Sequence, residues 1–370
     1  KNNEPTLNEV ALQREEIFKN MPKISLVVPM YNTEEKFFVQ LVDCVLGQTY
    51  KNFELCLADG SPKKAEFVDD IVKKDERIKY KFIGENKGIS GNTNEALSLA
   101  TGNFIGLLDH DDLLPNFSLY EIVKCINENP DVEFIYTDED KINSDTLERF
   151  DPHFKPDFAI DTLRSNNYIT HFSIFKKSLM EKIGGFNSKY DGAQDYDVII
   201  KAVENAKKIV HISKVLYHWR VHQNSTAMIS ESKPYAYEAG VLVIEDHLKR
   251  LNIDAKVSQG GDVPGVYEVE YSLIGKPKVS IVIPNKDNIK LLKRCINSIL
   301  KLTTYENYEI VVVENNSVKK STFDYYEKIS NIHNVKVVKY LENEFNYSRI
   351  INFGVKNSDG EYILQLNNDV

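Results

Sequence analysis

Cysteine is scarce in this chain: four in 370 residues, Cys44, Cys56, Cys125 and Cys295, widely spaced and without a C-x-x-C pair. That argues against a disulfide framework and a structural zinc site, and for a reducing, cytoplasmic compartment. Three of the four lie in apolar runs and read as buried thiols. Basic charge is short as well. Lys and Arg number 46 against 55 Asp and Glu, a net charge of −9, so nucleic acid is not expected as the main partner. No apolar run approaches the ~18 residues of a membrane span, and no charged-then-apolar signal segment opens the sequence. The expectation is a soluble protein, peripheral at most at the inner face of the cytoplasmic membrane. Also missing is a strand followed by G-x-G-x-x-G, which removes the dinucleotide fingerprint. Calcium loops of the EF-hand type fail too, because Leu114 and Asn143 stand where the sixth-position glycine is required. The first residue is Lys1, and Val370 follows directly on an acidic motif, so the sequence reads as a piece cut from something longer.

What is present is enough apolar material, 42% of residues, for roughly two domains. In residues 6–20, Leu7, Val10, Ala11, Ile17 and Phe18 recur at helical spacing before Pro22, predicting a docking helix. From Lys23 onward, short β-rich runs such as ISLVVPMY and FELCLAD alternate with helical stretches. That alternation predicts βαβ units around a mostly parallel sheet. The chain also repeats itself. KISLVVP (23–29) matches KVSIVIP (278–284), YKNFELCLADGS (50–61) matches YENYEIVVVENNS (305–317), and TGNFIGLLDHDD (101–112) matches SDGEYILQLNNDV (358–370). The predicted organisation is an N-terminal helix (1–22), an α/β domain (23–230), an ordered helix-and-strand connector (231–276) and the first half of a second copy (277–370).

The stretch LLDHDDLLP (107–115) places an acid cluster at the end of a strand. Open parallel sheets bind ligands at the carboxyl ends of their strands. Asp109 and Asp111, two residues apart on extended chain, face the same side. Paired carboxylates there suit a hard divalent cation, Mg2+ or Mn2+, shared with a diphosphate. Alternatively, the motif simply ends a strand and caps the next helix.

Seven motifs then fall in order: VVPMYN (27–32), ADGS (58–61), NKGISGNTNEAL (86–97), LLDHDD (107–112), GGFN (184–187), AQDYDV (193–198) and YHWRVHQNS (217–225). Together they resemble family-2 inverting glycosyltransferases of the GT-A fold, in particular the tandem-domain bacterial enzymes of surface-polysaccharide synthesis. The resemblance implies an α/β GT-A unit followed by a partial second copy. It also implies metal-dependent transfer of a sugar from a UDP- or dTDP-sugar to a saccharide or lipid-linked glycan acceptor.

Residue by residue, the resemblance places Pro29, Tyr31 and Asn32 along the nucleotide and Asp59 on the pyrimidine ring. Ala58 replaces a second acid often found there. Asn86, Gly88 and Asn94 belong to the helix start beside base and ribose, with Thr93 where many relatives carry arginine. Asp111 and Asp109 become metal ligands with His222, His110 and Arg220 donor contacts, and Asp112 a helix cap. Asp195 corresponds to the family's base, with Gln194 replacing the usual glutamate, while Asp197 reads as a structural acid. Asp138, Lys155, Tyr168, His171 and Gln194 are candidate acceptor contacts. The second copy reads Asn367, Asn368, Asp369 at the acid motif and has no counterpart of Asp195. Competing readings are a catalytically silent nucleotide- or sugar-binding scaffold and a nucleotidyltransferase. The latter lacks the Gly-rich basic loop it would need after the first strand. Oligomeric state is not legible in the sequence.

Overall fold

The computed structural model describes residues 4–221, 234–261, 263–342 and 344–370. They form two compact units, Lys1–Ser272 and Leu273–Val370.

In the first unit the strands are β1 (Ile24–Met30), β2 (Phe53–Asp59), β3 (Ile78–Phe82), β4 (Phe104–Leu107), β5 (Phe134–Asn143), β6 (Arg149–His153), β7 (Ser173–Lys176) and β8 (Ile209–Val221). They make one sheet in the order β3-β2-β1-β4-β7-β5-β6, with β8 on β5. β3, β2, β1 and β4 run parallel to one another, β7 pairs antiparallel with both β4 and β5, and β8 is parallel to β5. All seven residues of β1 and of β2 are buried, because helices cover both faces. Ile24, Leu26 and Val28 pack against Phe38, Leu41, Ile122 and Ile126, while Val27 packs with Cys56, Ala96 and Ile105 on the other face. This alternation is what a doubly covered strand requires.

The N-terminal helix is shorter than its apolar spacing predicts. It spans Leu7–Glu15, opens on a capping box between Thr6 and Glu9, and buries no residue. Leu7, Val10 and Ala11 give it only a short apolar stripe, and Ile17 and Phe18 come after its end. Phe18 alone finds a place, its ring 5.2 Å from that of Tyr120. The helix Pro234–Arg250 and the hairpin β9 (Ala255–Gln259) and β10 (Tyr267–Tyr271) pack onto the first unit. There Val243, Ile244, Leu248 and Tyr267 share a core with Tyr196 and Ile199.

The second unit is a four-stranded parallel sheet of β11 (Val279–Asn285), β12 (Tyr308–Asn315), β13 (Val335–Tyr340) and β14 (Tyr362–Gln365), ordered β13-β12-β11-β14. No helix among the described residues is long and apolar enough to cross a membrane.

Candidate active site

β4 ends at Leu107, and the acid motif that follows is stapled to β8. Leu113 and His218 exchange backbone hydrogen bonds of 3.2 and 2.9 Å. Asp112 is 1% exposed and accepts the Tyr217 hydroxyl and, at 2.7 Å, the Arg220 backbone N–H. The Tyr217 oxygen in turn accepts the Asp109 N–H at 3.3 Å. Asp112 is therefore no helix cap, contrary to the sequence expectation. The helix Ser118–Glu128 begins after Phe117, and both carboxylate oxygens of Asp112 are taken by β8. Burial pushes its carboxyl well up, and the charges of Asp111 and Asp109 add to the effect.

Arg220 is tied to the same motif. It is fully buried, its Nε donates to the Asp111 carbonyl, and its guanidinium lies 4.8 Å from the centroid of the Phe37 ring. So placed, it fixes the backbone of the motif through Asp111, while its Nη1 and Nη2 are buried with no hydrogen-bond partner among the described residues and remain as donors for an anionic ligand.

Asp109 is the open member, its side chain 47% exposed, with His171 Nε2 3.9 Å from its Oδ2. The His171 ring stacks on Tyr217 at 4.6 Å and 9°. Ligand atoms of Asp109, Asp112 and His171 lie within 4.8 Å of one another. Loss of hydration among the neighbouring side chains raises the Asp109 carboxyl. His171 opposes the shift, while Asp111 and Asp195 reinforce it. Asp112 is spent on β8, so Asp109 and His171 are the members of this group whose ligand atoms stay open to a hard divalent cation. His110 has a buried Nδ1 with no hydrogen-bond partner among the described residues. His222 lies outside the described residues.

On the nucleotide side, Pro29 pairs in register with Ala58, and Asp59 is buried at the end of β2. Its oxygens accept the Ser61 N–H at 2.9 Å and the Tyr80 hydroxyl at 2.8 Å. Tyr31 is half exposed, and Asn32 turns through φ 48° with its N–H on Ser61 Oγ at 2.8 Å. Asn86 Oδ1 accepts Gly88 N–H and Asn92 Nδ2–H at 3.0 and 3.1 Å, closing the turn into the helix Gly88–Leu97. Gly88 has φ 76°, and a Cβ there would meet the Asp191 carboxylate at 2.7 Å. The Asn94 amide bonds both ways with the Phe186 backbone at 2.8 and 3.0 Å, tying this helix to the GGFN turn.

Asp195 stands in the first turn of the helix Gln194–Asn205, where its Oδ2 accepts Asn167 Nδ2–H at 3.0 Å. Asp197 is buried and paired with Lys201 at 2.7 Å. Gln194 Oε1 accepts the Gly192 N–H at 2.9 Å.

Of the remaining acceptor candidates, Lys155, Asp138 and Tyr168 do not line a groove. The Lys155 side chain is 0% exposed, and its ammonium donates to the carbonyls of Ile169 and His171 and pairs with Glu139 at 3.3 Å. Burial pulls the lysine down. Burial alone would raise Glu139, but His153, Lys155 and His171 hold it at about 2. Glu139 also accepts Thr170 Oγ–H at 3.1 Å and His171 N–H at 3.2 Å. The pair thus clamps the segment 167–171, which carries the partner of Asp195 at one end and the neighbour of Asp109 at the other. Asp138 is buried between the Lys155 N–H and His211, both under 3.0 Å. The Tyr168 hydroxyl is buried on the Ala159 N–H at 3.0 Å. Asn167, Glu139 and Tyr217 were not singled out from sequence. Strand alternation could have found Tyr217, which shares a face with Trp219, whereas Asn167 and Glu139 follow no spacing rule.

Residues 25–184 and 280–370 match the sequence profile described as glycosyl transferase family 2, more than half of the chain. The chain belongs to that family. Its mixed α/β sheet with a parallel half is the GT-A arrangement anticipated above, followed by a partial copy. A protein of Sinorhizobium fredii, y4gI, is 38% identical over 95% of this chain and 39% of its own length. The O-antigen biosynthesis protein RfbC of Myxococcus xanthus is 33% identical over 94% of this chain and 27% of its own. The chain therefore spans well under half the length of these relatives. Among solved structures, S. aureus TarS aligns with a TM-score of 0.49 and 20% identity, over 61% of this chain and 40% of that one.

Proposed function

We propose that this chain carries the catalytic unit of a metal-dependent, inverting glycosyltransferase of surface-polysaccharide synthesis. It takes a hexose or related sugar from a UDP- or dTDP-sugar and passes it to a saccharide or lipid-linked glycan acceptor. The observation that supports this most is the segment 167–171, which holds Asp195 through Asn167 at one end and sets His171 beside Asp109, just after β4, at the other. Asp195 is the group that removes the acceptor hydroxyl's proton as the new C–O bond forms and the bond from the anomeric carbon to the diphosphate breaks. Asn167 orients that carboxylate through the amide bond described above. Asp59 and the turn at Asn32 line the nucleotide base, and the helix start at Gly88 offers backbone N–H groups next to it. Mn2+ or Mg2+, held by Asp109 and Asp111 with His171 alongside, supplies charge neutralisation of the departing nucleoside diphosphate when bound.

The test combines a thermal-shift screen with one substitution. A nucleotide with Mn2+ should raise Tm, and chelator should abolish the shift. Asp195→Asn should retain that shift while transfer falls at least ~100-fold. Wild-type turnover in Asp195→Asn would remove Asp195 as the base.

A further inference from the structure

Between the helix Ile160–Ser165 and the hairpin β9–β10 runs a groove of about 430 Å³, lined by Asp161, Arg164, Ser165, Gly260, Tyr267 and Tyr271 among others. We propose that this groove is the acceptor subsite and that it holds a hydroxyl-rich saccharide chain, with Tyr271 as the platform and Arg164 as the polar anchor. The inference rests on the transferase reading above and adds where the acceptor lies.

Arg164 is held in place before any ligand arrives. Its side chain is only 12% exposed, its Nε donates to His247 Nε2 at 3.2 Å, and His247 Nδ1 bonds Glu204 at 2.6 Å. Its Nη1 reaches Asp161 at 3.2 Å and the Tyr271 hydroxyl at 3.1 Å. Its Nη2 finds no acceptor among the described residues, which leaves a fixed donor for a ligand oxygen. A guanidinium so constrained loses little freedom on binding.

Tyr271 is 43% exposed, with the Arg164 guanidinium 5.9 Å from its ring centroid. An aromatic face edged by donors and acceptors suits a pyranose, whose C–H face is apolar and whose rim carries hydroxyls. The Asp161 side chain, 84% exposed, provides acceptors, and Glu268 adds further negative charge to the wall. That balance disfavours a phosphate or other strong anion as the occupant.

Three contacts tie the groove to the proposed base. Ser165 lines it, and Asn167, whose amide holds Asp195 at 3.0 Å, is two residues on, at most about 7 Å of extended chain. Asn166 between them donates to the Gly265 carbonyl at 2.9 Å and so fixes the hairpin to this segment. Tyr267 on the groove wall stacks on Tyr196, the residue after Asp195, at 6.0 Å and 24°.

The experiment uses the oligosaccharide that the wild type extends fastest from a panel of tetra- to hexasaccharides. Tyr271→Ala and Arg164→Met should each raise acceptor KM about 10- to 100-fold, with the UDP–Mn2+ thermal shift unmoved. Tyr271→Phe keeps the ring and should lose far less, which separates stacking from a general disturbance of the hairpin. An unchanged acceptor KM in both variants, with turnover intact, would overturn the groove alone. A wild type that turns over no nucleotide-sugar would instead overturn the functional reading, and this inference with it.

Discussion

In the first unit the Glu54 carboxylate is buried beneath Lys23 and Lys79 and accepts from Ser25 Oγ and the Thr101 N–H, while Gly102 N–H donates to Ser25 Oγ. In the second unit Glu309 meets Lys278, Lys336, Ser280 Oγ and the Asp359 N–H, and Gly360 N–H donates to Ser280 Oγ. The likeness extends to single turns. Tyr50 and Tyr305 donate to the carbonyls of Pro22 and Pro277. Asn32 (φ 48°) and Asp287 (φ 51°) each place an N–H on the hydroxyl of a serine, Ser61 and Ser317. Yet Asp59 becomes Glu314 at the strand end, and Asp109 and Asp112 become Asn367 and Val370. β4 is flanked by β7, whereas all four residues of β14 are exposed. The buried polar scaffold of the half-domain is thus common to both copies. The candidate chemistry depends on what surrounds it, namely β7, β8, the clamped segment 167–171 and the helix of Asp195. None of these has a counterpart among the described residues of the second unit.

The largest expected effect exploits the flanking strand. Ile105 and Ile363 hold the same register position, opposite Ser25 and Ser280, but are 0% and 41% exposed. Ile105→Lys should cost upward of about 4 kcal/mol and abolish folding of the first unit, because an unpaired charge would enter the core. Ile363→Lys, at a half-exposed position of the second unit, should leave the unfolding transition of the first unit in place, measured by urea titration. Equal loss of that transition in both would break the distinction between the buried and the exposed position.

Next in size are the acid motifs. Asp111→Asn should remove the Mn2+-dependent part of the nucleotide thermal shift and lower transfer about 100-fold or more, while Asp369→Asn should leave both unchanged. Loss of the shift in Asp369→Asn would place a working nucleotide site in the second unit.

The smallest effect sharpens what the copies share. Burial alone would raise the Glu309 carboxyl, but the Asp359 N–H, the Ser280 hydroxyl and two lysines hold it at about 2, and Glu54 is likewise depressed. Their stabilisation is complete above the unfolded glutamate value of about 4.3 and is lost as pH falls toward the folded values. Glu54→Gln and Glu309→Gln should each cost about 2 kcal/mol at pH 7. Both should flatten the decline of stability between about pH 5 and 2 in urea titrations. Parallel behaviour would confirm a shared scaffold, and a pH profile unchanged in either variant would refute it.

Much of this arrangement was legible before any coordinates. The repeat, the alternating strands and the strand-end acids follow from local periodicity, and a buried parallel strand has no other pattern available to it. The sequence separates Asp195 from Asp197 only through the family resemblance, and the structure adds the pairing of Asp197 with Lys201 one turn along the helix. The placements of Arg220, Lys155, Asn94 and Asp112 were not legible, since a polar side chain reads alike whether it faces a ligand or a buried carbonyl. Their partners are Asp111, Ile169, Phe186 and Tyr217, and in three of the four cases the partner lies some 90 residues or more away. The sequence by itself determined the α/β frame, the internal repeat and the family, because these rest on patterns a few residues long. Only the tertiary structure decided which acids stay open, which are consumed as staples, and that the connector forms a groove close to Asp195. Those outcomes depend on hydrogen bonds whose two ends are brought together only when the sheet closes.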